Sequence, residues 1–436
     1  MRTYSLLIIT VGRGGRKRVK RGNVSLKLGG LVVVLILAVS IGAGASAGKR
    51  TKGQGPAAAN APSGTVTLSG WSVGATEEKL LKQVISAFER SHPKIKVSYD
   101  AIPNYDQAML AKFSARRPPD VFYVNSEKAP TWIKQGLILP LDSYIKKSKF
   151  AVAPFYPKLM TAFRANGKTY GFPKDWNPLV LQINTAMLAK VKAKPPKTWA
   201  QLRSVAQKLR SAVPGGKPLC LAAEWQRMLA FVYQNGGSVL QGNKPTFTST
   251  KVRQAVEFYV GLQKSGLGDQ ASKLGAGWCG EALGKEKAAI SFEGGWVYPY
   301  LPENFPSMKW KFFPMVKGKQ AGTLAFTASY SMGTHSKNKE AGWELIRYLT
   351  GRTGMKLWSS KGLVLPARKD VKVKPPGPSR APLLAAAASA RAWAWPPGFD
   401  KVWTVANNEL GAVFEGKQTI PEMLKKINDE AEDALN

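Results

Sequence analysis

Histidine and cysteine are the scarcest chemistry-bearing residues of this 436-residue chain, two of each: His92, His335, Cys220 and Cys279. No stretch gathers them with carboxylates, which speaks against a zinc site, and neither a metal nor a cofactor is expected. Acids are few as well, 27 against 64 Lys and Arg, for a net charge of +37. There is no G-x-S-x-G elbow and no G-x-x-x-x-G-K-[ST] loop, and "GEALGKE" (Gly280 to Glu286) has the wrong spacing for one. No local motif pairs two carboxylates for glycoside hydrolysis. These absences count against an enzyme. The cations are scattered and accompany no nucleic-acid reading module, so no nucleic-acid partner is expected; the charge suits anionic surroundings such as a cell wall.

What is present is a folded protein with a distinct start. Hydrophobic residues make up 44% and there are 13 Trp. Eight Lys or Arg, the run "LVVVLILAV" (Leu31 to Val39) and Ala45-Ser46-Ala47 follow in the order of an export signal, residues 1–47. The alternative is an uncleaved anchor over Leu28 to Ala47. Residues 48–64 read as a flexible tether. The expected location is therefore the extracytoplasmic cell envelope. In that oxidising setting the two cysteines are either a disulfide or two buried thiols, and a disulfide closing a ~60-residue loop is favoured, worth about 4 kcal/mol.

Beyond the tether the pattern is α/β. "TVTLSGW", "KIKVSYDAI" and "DVFYVN" read as strands, the last apolar enough to be covered on both faces. Thr76 offers an N-cap for a helix whose Leu80, Leu81, Val84, Ile85 and Phe88 share one face. "LVLQIN", "AAISF" and "KWKFFPM" are further strands, and Thr198 with Gln201 is spaced as a capping box. A helix is expected over Pro382 to Trp395, and another begins at Pro421.

Open α/β sheets bind ligands at strand ends, and that is where aromatic and small polar residues recur here. Trp71 follows the first strand; Asn125 and Glu127 follow "DVFYV"; Asp175, Trp176 and Asn177 precede "LVLQIN"; Glu293, Gly294, Gly295 and Trp296 follow "AAISF". Aromatic faces with carboxylate and amide acceptors match the apolar ring faces and hydroxyl rims of sugars.

The segments "PPDVFYVNSEKAPTWIKQGLILPLDSYI", "YGFPKDWNPLVLQINTAML", "GKEKAAISFEGGW" and "GLVLPARKDV", in this order and spacing, resemble the extracellular solute-binding proteins of bacterial ABC importers, in the branch related to maltose-binding protein. The resemblance implies a two-lobe periplasmic-binding-protein-like fold with a hinged interlobe ligand cleft. Its lobes would be 65–174 with 326–364 and 175–325 with 365–436, crossing near Phe172 to Asn177, Thr323 to Ala328 and Gly362 to Arg368. It implies no catalysis, a carbohydrate ligand, delivery to ABC permease subunits in the membrane, and a monomer. Residue by residue, Trp296 looks like the family's stacking ring and Trp403 like a second one. Glu224 with Gln226, and Glu127 with Lys128, match ligand-contacting positions; Glu293 and Gly295 would offer an acceptor and a close backbone. Trp225, Trp278, Tyr330 and Arg368 are further candidates. Asn177 stands where the maltose binder has Glu, and Val124 where it has a stacking Trp, so maltodextrin is not implied. The alternatives are a polyol phosphate such as glycerol 3-phosphate, recognised by Lys128, Lys174 or Arg368, an envelope polysaccharide-acting enzyme, and an adhesin holding anionic wall polymer.

Overall fold

The computed structural model describes residues 62–71, 74–374 and 377–436; the expected leader and nearly all of the tether lie outside them. Eleven strands build two sheets. In chain order these are β1 (Gly64–Gly70), β2 (Ile95–Ala101), β3 (Val121–Asn125), β4 (Gly171–Pro178), β5 (Val180–Asn184), β6 (Leu219–Cys220), β7 (Gly268–Asp269), β8 (Ile290–Glu293), β9 (Trp310–Phe313), β10 (Thr323–Met332) and β11 (Ala390–Ala392). The first sheet runs β11-β10-β3-β1-β2 with β4 also on β10, and the second runs β7-β6-β8-β5-β9.

The first sheet is parallel through β2, β1 and β3 and antiparallel where β10 meets β3 and β4. All four apolar residues of β3 are buried, and helix Ala75–Ser91 turns Leu80, Leu81, Val84, Ile85 and Phe88 into the same core. Gly74, rather than Thr76, stands at that helix's N-cap, and the Thr76 hydroxyl lies 3.4 Å from Glu303 Oε2. In helix Trp199–Leu209, Thr198 Oγ1 accepts from Gln201 N–H at 3.2 Å, while Gln201 Oε1 accepts from Lys197 N–H rather than closing the box on Thr198. Helix Ile420–Leu435 has a complete capping box, Thr419 with Glu422.

Two chain segments pass side by side between the sheets. β4 continues through Leu179 into β5, and β10 runs antiparallel against it. Leu179 N–H donates to the Leu324 carbonyl at 2.9 Å, Thr323 Oγ1 to the Leu179 carbonyl at 2.7 Å, and Thr327 Oγ1 to the Asp175 carbonyl at 2.7 Å. Along the expected third crossing, Gly362 to Arg368, the side chains of Leu363, Leu365 and Ala367 are buried, Leu365 is bridged to Trp176 and Arg368 to Phe155.

The helix expected over Pro382 to Trp395 is cut short. Ala381–Ala385 is helical, but residues 390–392 form β11 on the start of β10. Alanine favours helix intrinsically, and pairing with an open strand edge overrides it. Cys220 and Cys279 are bonded, joining β6 to helix Cys279–Gly284 in a small alanine-lined cluster. Among the described residues no helix is long and apolar enough to cross a membrane, and no group of His, Cys, Asp and Glu could hold a metal ion.

Candidate functional site

Where β4 and β10 cross, they floor a cavity of about 280 Å³ between the two sheets. Asp175 and Asn177 of β4 and Phe326, Thr327 and Ala328 of β10 line it from below, Trp71 and Asn125 from the ends of β1 and β3, and Trp296, Pro299 and Arg227 from the other sheet's side. A neighbouring hollow shares Trp296 and Pro299 and adds Trp278, Tyr300 and Glu303. Another shares Trp71 and Asn125 and adds Asn104, Asp106 and Gln107. The result is a groove with an indole at each junction.

Glu293 ends β8 and is 1% exposed. It was expected to accept hydroxyls, but its Oε2 accepts from Arg227 Nη2 at 2.7 Å and from Trp296 Nε1 at 2.9 Å. Gln182 secures its backbone, donating to the Glu293 carbonyl at 2.7 Å and accepting its N–H at 2.8 Å. Glu293 therefore orients the ring and the cation. Burial pushes its carboxyl up, and Arg227 opposes that rise. Burial also works against the charge on Arg227, but Glu293 and then Glu224 outweigh it and hold the guanidinium ionised. Arg227 lies 5.6 Å over the Trp296 ring and 6.0 Å over Phe326, and Glu224 Oε2 takes its Nη1 at 2.7 Å.

Gly295 has a steric reason. A β-carbon there would stand 2.4 Å from Asn177 Oδ1, an acceptor that is buried and without a partner. Gln226 Oε1, on the helix carrying Arg227, is in the same condition. Lys174 is 4% exposed, bonded to Asp175 and sandwiched by Tyr123 and Trp358 at 4.8 and 4.5 Å. Asp175 also accepts from Trp358 Nε1 at 2.9 Å.

Trp71, Asn125, Asp175, Asn177 and Trp296 thus line the cavity, with Trp278 in the adjoining hollow. Others do not reach it. Trp403 is 3% exposed, wedged against Trp393 and Trp395 at 4.7 and 4.5 Å, so its ring has no free face for a ligand. Trp225 belongs to the same core. Tyr330 packs edge-on to Tyr123 inside the first core, and Trp176 bonds the Pro366 carbonyl through Nε1. Arg368 pairs with Asp370 and sits over Phe155, within the first core's wall. Arg227 was missed, although a basic residue three positions after Glu224 is the spacing of a helical ion pair.

Glu127 and Lys128 stand beside the groove. Lys128 Nζ is 3.5 Å from Asp400, which comes from the other lobe's helix Phe399–Phe414. Burial, with the charges of Asp106 and Asp400 adding and the Glu127 backbone amide and Lys128 opposing, pushes the Glu127 carboxyl up to about 7. A carboxyl raised in the fold favours the folded state while protonated, so that contribution is complete below the ordinary 4.5 and is lost as pH climbs to about 7. Glu127→Gln should therefore be more stable than the parent at pH 8, with the gap closing towards pH 4.5. Urea midpoints at the two pH values check this, and a gap independent of pH refutes it.

Residues 83–386, 304 of the 436, match the family model described as bacterial extracellular solute-binding protein. The multiple sugar-binding protein of Streptococcus mutans is 21% identical over 318 residues, 68% of this chain and 74% of that one. Among solved structures, an ABC substrate-binding protein of Listeria monocytogenes in complex with cycloalternan superposes with a TM-score of 0.76 at 21% identity, covering 85% of this chain and 98% of that one. An ABC transporter solute-binding protein of Thermotoga lettingae bound with α-D-tagatose gives 0.75 at 20%, covering 86% and 100%. These likenesses give the fold, a mixed α/β architecture of two lobes about a cleft. With most of its length matched by the family model, the chain belongs to the bacterial extracellular solute-binding proteins.

Proposed function

We propose that this protein captures a neutral mono- or oligosaccharide in the interlobe groove and, acting as an exported monomer outside the cytoplasmic membrane, hands it to the permease of an ABC importer. The observation that carries the reading is the chemistry of the groove: indole faces at its junctions, amide acceptors between them, and cations already neutralised. Lys174 is paired with Asp175, Arg227 with Glu293 and Glu224, Lys128 with Asp400, and Arg368 with Asp370. A phosphate would have to compete with a carboxylate for each, which disfavours the polyol phosphate reading. Asn177 lines the cavity with Trp296, and its Oδ1, closed off against Gly295 without a partner, is an acceptor that a sugar hydroxyl would satisfy once movement of the lobes opens it. The linked hollows suit more than one sugar unit. Export is supported by the basic, apolar and small-residue order of residues 1–47. Nothing is chemically changed: closing the lobes buries the ligand between rings from both sides.

A thermal-shift panel of mono-, di- and oligosaccharides with glycerol phosphates tests this. A ligand at a hundredfold its Kd stabilises by about 2.7 kcal/mol. A shift with a neutral sugar that Trp296→Ala abolishes is the expected result. Shifts confined to phosphorylated compounds would replace the reading with a polyol phosphate binder, and no shift across the panel would refute it for the sugars tested.

A further inference from the structure

The net charge of this chain is not spread evenly. No acid occurs between Asp175 and Glu224, and none between Glu303 and Glu340, although these stretches hold eight and six Lys or Arg. The fold lays the two stretches together. β9 is an edge of the second sheet and pairs with β5, Lys311 opposite Ile183. The Lys309 carbonyl accepts from Thr185 N–H at 2.8 Å; the Lys317 N–H donates to the Lys197 carbonyl at 3.0 Å, and Trp199 N–H to the Lys317 carbonyl at 3.2 Å.

Along this edge Lys194, Lys197, Lys309, Lys311, Lys317 and Lys319 are all exposed, and none of them makes an ion pair with a described residue. Glu286, held by Asn184 Nδ2 at 3.0 Å, borders the face at one end, next to Lys287. Unpaired like charges along one edge raise the local potential, which a counter-charge would lower.

We propose that this lysine edge is a docking face for a linear, hydrophilic polyanion of the cell envelope, its repeats bearing phosphate or carboxylate. Three observations select that partner. The face is built of lysines, point charges that hold anions without fixing their geometry, as a flexible repeating polymer requires. The large hydrophobic side chains exposed among the described residues are Leu110, Leu357 and Leu384, none on this edge, so it has no apolar anchor for insertion into a lipid surface. The adjoining Trp199 has one face stacked on Phe258 at 4.3 Å and its Nε1 bonded to Gln234, so it is held by the fold rather than presented for the base stacking that single-stranded nucleic acid uses. The face lies apart from the groove, so it would tether the binder in the envelope without occupying the ligand site, and it stands whatever the ligand proves to be.

The test is binding of the mature chain to inorganic polyphosphate and to polygalacturonate over a salt series, with vesicles of zwitterionic lipid doped with phosphatidylglycerol as a further arm. Two six-lysine variants are compared, each Lys→Gln: one at 194, 197, 309, 311, 317 and 319, the other at the exposed first-lobe lysines 79, 82, 134, 146, 158 and 356. The edge variant should lose about tenfold or more in affinity for at least one polymer, and the slope of log affinity against log salt should flatten by roughly 0.7 per lost contact. The first-lobe variant should lose much less at equal net charge. Equal losses in both variants would overturn the proposal in favour of diffuse attraction. No binding to either polymer would overturn it outright. Binding to the vesicles as tight as to polymer, with the same lysine dependence, would assign the face to lipid instead.

Discussion

Arg227→Leu should lower the free energy of unfolding by about 3 kcal/mol at neutral pH, the scale expected when one partner of a buried pair is removed and the other is left behind. Arg227 is 19% exposed and Glu293 2% by side chain, so the carboxylate left behind is the one that water cannot reach. The pH dependence has a definite sign. Burial already pushes the Glu293 carboxyl up, and Arg227 is the main influence holding it down. Without the guanidinium it rises further, so the fold favours the protonated form over a wider range. The deficit should be full at pH 7.5 and shrink as pH falls and Glu293 takes up its proton. Urea unfolding at pH 5 and 7.5 measures it. Arg227→Leu with Glu293→Gln should recover part of the loss, because a neutral amide can still accept from Trp296 Nε1. A loss independent of pH, or no recovery, would mean that Arg227 acts by packing on Trp296 and Phe326 rather than by charge.

Replacing both Cys220 and Cys279 with Ala should lower stability by about 4 kcal/mol in the chain-entropy account. The two are 59 positions apart, and alanine suits a site already lined by Ala276, Ala282 and Ala288. Neither cysteine lines the groove, so ligand affinity should hold while the denaturation midpoint falls. Denaturant titration of the variant beside the reduced parent checks both halves. A fall under about 1 kcal/mol would mean that the unfolded chain is not loosened as that account requires.

Much of the fold was legible because its signals are local. Leu80 to Phe88 repeat at the helical period, β3 is an unbroken apolar run, and the turn after β8 presents glycines and an indole where strand ends bind ligands. What failed depended on distant partners. Glu293 reads as an open acceptor until the fold brings Arg227, 66 positions away, onto it. The alanines before β11 have every intrinsic reason to stay helical and yield to a strand edge contributed from elsewhere. Trp403 offered a warning the resemblance overrode: Val402, Trp403, Ala406 and Leu410 follow the spacing of a buried helical face. Arg368 carried its answer two residues on, in Asp370.

The strand crossing also decides the order in which the molecule can assemble. β3 waits for β10, whose Ala328 pairs with Asn125 from 203 positions later in the chain. The second lobe, although its sheet is complete by Phe313, packs its core under helices Phe399–Phe414 and Ile420–Leu435 at the very end. A chain emerging from its N-terminus therefore finishes neither lobe until the last hundred or so residues have appeared, and β3 keeps an unpaired edge in the meantime. Folding governed by such distant pairings is slow and exposed to aggregation, and a break before β10 would leave both halves unfinished, the first without its central strand and the second without its closing helices.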